Sequence, residues 1–206
     1  MKAKLLVGGV SFACVTVWMS AVALSQDKPL EKPKVVDPEA AMKAMWEKLG
    51  APGEFHKHLQ PFIGKWKLVV KYRMDPAAEW KESLSESEVE WIIGDRFIRE
   101  EVEGEMEEGV KFEGLGFTGY DNLKKKYVSA WMDNMGTGMM VSEGSCDESG
   151  KVFTFVGEHI DPMTGKAGKD KTVLKIVNND KHVMEMYMNG PDGKEFLAME
   201  IVYTRA

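Results

Sequence analysis

The chain has 206 residues, with 33 acidic against 27 basic side chains, a net charge of −6 and two cysteines. The acidic excess argues against a nucleic-acid partner, whose phosphates call for a basic surface. A chain of this length can bury a core large enough to fold without cross-links.

Residues 1–25 read as a secretory signal peptide. Lys2 and Lys4 give a positive start, Leu5 to Leu24 is an uncharged apolar run, and Ala21, Ala23 and Ser25 supply small residues for cleavage. The run is nearly long enough to span a bilayer as an uncleaved N-terminal anchor, but its small-residue end favours cleavage. Cys14 is not a lipidation site, because Ser11-Phe12-Ala13 is a poor approach to one and apolar sequence continues past it. The leader carries two lysines and no acid, so the mature chain has a net charge of −8 and one cysteine, Cys146. An intrachain disulfide is then impossible. The expectation is a periplasmic or secreted protein with no stable membrane insertion once the leader is removed.

Residues 26–36 (QDKPLEKPKVV) are polar and rich in Pro and Lys, as in a flexible linker. Residues 37–60 form a helical segment. Asp37-Pro38-Glu39 caps and starts a helix, Met42, Met45, Trp46 and Leu49 fall at helical spacing, and Gly50 and Pro52 end it. A second short helix is expected over Glu54 to Leu59, and the segment is expected to pack on a sheet as a lid or plug.

Residues 61–206 are strand upon strand. In the first, Trp66, Leu68, Val70, Tyr72 and Met74 alternate with Lys65, Lys67, Lys71 and Arg73, as in a half-buried strand. Trp80 to Ile93, Arg96 to Glu103, Val110 to Tyr120, Lys126 to Asp133, Met139 to Cys146, Lys151 to Ile160, Lys171 to Val177, His182 to Met188 and Glu195 to Arg205 follow. Short turn signals separate them, with no room for crossover helices. About ten strands in a meander predict an all-β, antiparallel up-and-down barrel, which closes its own edges; a two-sheet sandwich is the alternative.

Gly64-Lys65-Trp66 after a short helical turn resembles the opening signature of lipocalins and their calycin relatives. That resemblance implies an Arg near the end of the last strand packed over the Trp, and Arg205 occupies the place. Gly94-Asp95-Arg96-Phe97, Gly114 to Asn122, Trp131 to Gly138, Asp161 to Lys166 and Tyr203-Thr204-Arg205 resemble a bacterial family catalogued as domain of unknown function 1579, over roughly residues 50–206. The resemblance implies a lipocalin-like barrel and no established activity, so it transfers no catalytic residue.

The chemistry-bearing motifs are sparse. Gly114-x-Gly116-x-x-Gly119 matches the dinucleotide fingerprint by letter, but a turn and a strand follow it where a helix N-terminus is required. The glycines are read instead as positions of a curved barrel wall where side chains would crowd. His56, His58, His159 and His182 lack zinc spacing, so no metal site is predicted. His182 and then His159 are the candidates for a haem ligand, against the plainer reading of strand histidines. Glu82, Glu86, Glu88 and Glu90 mark a solvated exterior, opposite an interior face of Ser83, Ser85 and Ser87. Glu100, Glu101, Glu103, Glu105, Glu107 and Glu108 read as a charged hairpin tip without calcium-loop spacing. Ser142, Ser145 and Cys146 have no partnered base.

The expectation is an exported binder of a small apolar or amphipathic molecule, with a cavity lined by some of Tyr72, Ser85, Arg99, Trp131 and Met186. Met184, Met186 and Met188 share a face with His182, and Met suits irregular apolar ligands. Arg99 would meet a ligand carboxylate if its face points inward. The alternatives are an enzyme, haem-dependent or acting on a lipid-like substrate, and a filled structural barrel that binds an envelope partner. Oligomeric state is not encoded in any of these features.

Overall fold

The computed structural model describes residues 37–106, 109–160, 165, 167–190 and 192–206. The leader, the linker, the turn residues 161–164 and the acids Glu107 and Glu108 lie outside the described residues. Two helices, α1 (Pro38–Gly50) and α2 (Glu54–Lys57), and a 3₁₀ turn (Gln60–Phe62) precede ten strands. These are β1 (Gly64–Tyr72), β2 (Lys81–Ile92), β3 (Phe97–Glu105), β4 (Lys111–Asp121), β5 (Lys126–Asp133), β6 (Met140–Cys146), β7 (Val152–Ile160), β8 (Ala167–Asn178), β9 (Lys181–Asn189) and β10 (Glu195–Arg205). Each strand pairs antiparallel with the next, and β10 pairs with β1, so the sheet is a closed up-and-down barrel and not a sandwich. The eighth strand starts at Ala167, four residues before the pattern suggested, because His159 and Ile160 extend the pairing of β7 to Gly168 and Ala167.

The seam between first and last strands is held by one cluster. Trp66 is 1 % exposed and its Nε1–H donates to the Phe62 carbonyl at 2.8 Å. Opposite it in register, Arg205 lays its guanidinium 4.2 Å from the centre of the indole ring. The same guanidinium donates to the carbonyls of Ile63 (3.1 Å) and Asn179 (2.6 Å). Gly64 is required here twice over. Its φ is +129°, and a Cβ would stand 2.6 Å from Arg205 Nη1.

The floor of the barrel follows from the segment before β1. Leu59 and Phe62 plug the end formed by the start of β1, with Tyr127, Phe153 and Tyr203 packed around them. The Tyr127 hydroxyl donates to the Phe55 carbonyl at 2.9 Å and lies 3.0 Å from His58 Nδ1. The Gly53 N–H donates to His56 Nδ1 at 3.0 Å. Burial, and then the charge of Arg96, lowers the pKa of His56 and keeps that nitrogen an acceptor.

The first helix departs from expectation. None of its residues is buried, and Met42, Met45 and Trp46 are all exposed. It is tied at its end, where the Asn122 amide donates to the carbonyls of Leu49 (2.8 Å) and Ala51 (2.9 Å). Helical spacing of apolar residues gave the correct conformation but not the packing; α2 and the 3₁₀ turn cover the barrel end instead.

The dinucleotide-like glycines lie on β4 and have a steric reason. Gly116 pairs in register with Trp131, and a Cβ there would lie 3.1 Å from the indole; at Gly114 it would overlap the same ring. Gly119 stands likewise opposite Phe97, and Gly144 opposite Phe155. A ring laid flat across a registered glycine lets aromatic bulk fit a curved wall without pushing strands apart.

Candidate functional site

Strand alternation turns one face of every strand into a lumen. On β2 the small face is inside, with Ser83 and Ser85 lining the space, while Glu82 and Glu88 point out and pair with Lys71 (3.8 Å) and Lys65 (3.2 Å). The lumen is a cavity of about 600 Å³. It runs from the floor at Leu59 and Phe62 to the far rim, where Met74, Met135 and Met140 are exposed. One wall, from β9, β10 and β1, is apolar, with Met184, Met186, Met199, Ile201 and Val70. The wall from β2 and β4 to β8 carries hydroxyls, among them Thr118 and Ser129, whose Oγ atoms are 3.2 Å apart. A shallower recess of about 350 Å³ on the outer wall is bounded by Lys71, Glu82 and Glu200 and is no rival to it.

Tyr72, Ser85, Trp131 and Met186 line this cavity together. Trp131 is fixed by the glycines beneath its ring and by its Nε1–H, which donates to Asp133 Oδ2 at 2.9 Å. Arg99 does not join them. Ile98 and Val102 are the buried residues of β3, so the odd-numbered positions between them face out, and Arg99 pairs with Glu90 (2.8 Å) and Glu101 (3.4 Å) on the exterior. The inward residue is its neighbour Glu100, and the acids from 100 onward are therefore not all part of a solvated hairpin tip.

Glu100 is the polar group that sequence reasoning missed. Its carboxyl is enclosed by the barrel, and its remaining exposure is to the lumen. Burial raises its pKa to about 7, against the opposing pull of the Ser87 and Tyr203 hydroxyls that face it. Glu100 Oε1 and Ser87 Oγ are nevertheless buried with no hydrogen-bond partner. The signal in the sequence was Ile98-x-Glu100-x-Val102, one acid flanked at i ± 2 by apolar residues.

The two candidate haem histidines sit at opposite ends of the lumen. His182 belongs to the floor. Its ring stacks on Tyr203 (4.1 Å between centroids) and meets Trp66 and Phe62 edge-on at 4.4 and 5.0 Å. Burial, and then the Arg205 charge, lowers its pKa to about 3, so it is a neutral packing ring. His159 lies near the rim, with Nδ1 2.9 Å from Asp170 Oδ2. His159 Nδ1 and Asp170 Oδ1 nevertheless have no hydrogen-bond partner. Burial raises the Asp170 pKa more than His159 lowers it. Among the described residues, no group of three His, Cys, Asp or Glu side chains converges as a metal ion requires. Cys146 faces inward beside Tyr127, and burial pushes its thiol up to about 11, which leaves little reactive thiolate.

No curated protein sequence matches the chain. Among solved structures, Rv2717c from M. tuberculosis aligns over 76 % of this chain and 99 % of its own, at 14 % identity and a TM-score of 0.51. The S-type phycobiliprotein lyase CPES from Guillardia theta aligns over 78 % of this chain and 97 % of its own, at 15 % identity and a TM-score of 0.50. These likenesses are of fold, and the second places the architecture beside a lipocalin-like barrel. The family described as "Protein of unknown function (DUF1579)" matches residues 51–205, from the start of the floor segment to Arg205, and the chain belongs to that family.

Proposed function

We propose that this protein is an exported, non-catalytic carrier or sensor that holds a small amphipathic molecule in its barrel. The observation that carries the reading is the lumen itself. At about 600 Å³ it falls within the range of roughly 300–1,000 Å³ typical of small-molecule sites. A barrel whose only task was structural would fill that space, as small barrels do. The methionine wall suits an irregular apolar body, and the hydroxyl wall suits a polar edge. The absence of an assembled nucleophile and base among the described lumen residues argues for binding over turnover. The leader sequence supports export. The neighbouring phycobiliprotein lyase barrel is compatible with a small-molecule role, and at 15 % identity it supports nothing finer.

The test is native mass spectrometry of the protein purified after export, compared with its denatured mass. A discrete added mass that leaves on denaturation is the expected result, and it identifies the ligand, haem included. A bare mass, together with failure of every added amphiphile to bind, would overturn the reading in favour of a partner-binding barrel.

A further inference from the structure

The charged residues of the lumen are of one sign. Among the described residues that line it, Glu100, Asp133, Glu158 and Asp170 are acids, and there is no Lys or Arg. Strand lysines and arginines project outward instead, apart from Arg205, which packs on Trp66 at the floor end. Lys65 and Lys71 on β1, Arg99 on β3 and Lys175 on β8 all form ion pairs on the outer wall. A ligand carboxylate entering this barrel would find no lysine or arginine to pair with and four acids along the wall.

Two of the four acids are occupied, and Asp170 has one oxygen beside His159 and the other, Oδ1, buried with no partner. Asp133 accepts from Trp131 Nε1–H and from the Met135 N–H. Glu158 faces Lys169 at 3.9 Å, and Asp170 faces His159. Glu100 shares with Asp170 an oxygen that is buried with no partner, and it differs in lying at the deep end. Tyr203, whose hydroxyl faces the carboxyl, stacks on His182 of the floor, which fixes that depth. A buried acceptor without a donor is unfavourable. The unpaired Ser87 Oγ beside it supplies a second acceptor in the same place.

We infer that the lumen selects a cationic amphiphile, an alkyl or aryl amine, which lays its apolar body along the methionine wall and places its ammonium group against Glu100 and Ser87. This rests on the lumen-binding reading above and names the ligand class. The ammonium supplies the donors that Glu100 Oε1 and Ser87 Oγ lack, and its charge is matched by the carboxylate. The Trp131 ring, lying over Gly116 next to Glu100, offers a π-face to the same cation. The acids nearer the rim focus a field of the same sign along the path in.

The test uses three probes of one chain length, dodecylamine, dodecanol and dodecanoate, each at pH 8 below its solubility limit and below any micelle concentration. Binding is read from the intrinsic tryptophan fluorescence of the purified protein. The expected result is that dodecylamine binds at least tenfold more tightly than either other probe. Glu100→Gln should bring the amine down to the affinity that the same variant shows for dodecanol. If dodecanoate or dodecanol binds wild type as tightly as the amine, or if Glu100→Gln leaves amine affinity unaltered, the inference is overturned while lumen binding stands. If none of the three binds, the inference is overturned, and the native mass decides separately whether lumen binding stands. Should the Glu100→Gln variant not fold, the ranking of the three probes on wild type decides the matter alone.

Discussion

Glu100 and His182 make opposite demands on the pH dependence of stability, and Glu100→Gln separates them. The Glu100 carboxyl has an ordinary value of 4.5 and about 7 in the fold. The folded protein therefore binds this proton more tightly than the unfolded chain. The resulting stability is full below pH 4.5 and is lost as pH rises to 7. At about 1.4 kcal/mol per unit, the swing is on the order of 3 kcal/mol. His182 moves the other way, from 6.5 to about 3. Its neutral burial stabilises above pH 6.5 and is lost as pH falls toward 3, on the order of 5 kcal/mol in all. Between pH 4.5 and 6.5 the two slopes cancel, and wild type should show a plateau from this pair. Glu100→Gln removes one slope and exposes the other. Urea unfolding followed by tryptophan fluorescence at pH 4.5, 5.5, 6.5 and 8 reads both curves, and groups common to both proteins drop out of the difference. The variant should gain on wild type by about 3 kcal/mol between pH 4.5 and pH 8. Parallel curves would show that the carboxyl is solvated and that the enclosed, unpaired Glu100 is wrong.

Other perturbations test the frame around the lumen. Gly64→Ala forces a positive φ on a residue with a Cβ and drives it into Arg205, so thermal denaturation should show a loss of about 2 kcal/mol or more. Arg205→Lys should not rescue Arg205→Met, because the point charge of lysine cannot reproduce a planar fork that stacks on Trp66 while bonding Ile63 and Asn179; equal melting temperatures for arginine and lysine would refute this. Gly114→Ala should tilt the Trp131 indole and break its bond to Asp133, seen as a change in near-ultraviolet circular dichroism. Deleting residues 38–48 of α1 should leave the urea midpoint of the barrel within error, because none of them is buried and the Leu49 carbonyl that Asn122 holds is kept, and a large drop would show that the helix packs.

How far each feature was legible depended on how sharply its neighbours contrasted. On β2, serine alternates with glutamate, and the inner face could be read from residue type alone. On β1 the lysines did the same. On β3, acids occur on both faces, so charge carried no information about direction; only the apolar pair Ile98 and Val102 did, and Arg99 was drawn to the wrong side. The stack of Arg205 on Trp66 came from the resemblance to calycins, and register then gave it a mechanism, since the two residues are cross-strand partners. The glycines of β4 were readable as crowded positions, but the ring that crowds them lies on the next strand, and local sequence does not state register. Helix α1 shows the converse limit. Periodicity reports a helix and its apolar stripe, and it does not report whether anything covers that stripe.

Every neighbour in this barrel is also a neighbour in sequence, with a single exception, the pairing of β10 with β1. The architecture is thus a ring of hairpins cut at one place, the seam that Trp66 and Arg205 hold. Joining the ends and opening any other hairpin yields the same cyclic order of strands, with α2 and the 3₁₀ turn serving as a connecting loop across the old cut. In such a permutant Trp66 and Arg205 remain registered partners, now within one continuous hairpin. The pairing that presently has to wait for the last strand, at the greatest loop-closure entropy in the molecule, would then be among the first contacts formed.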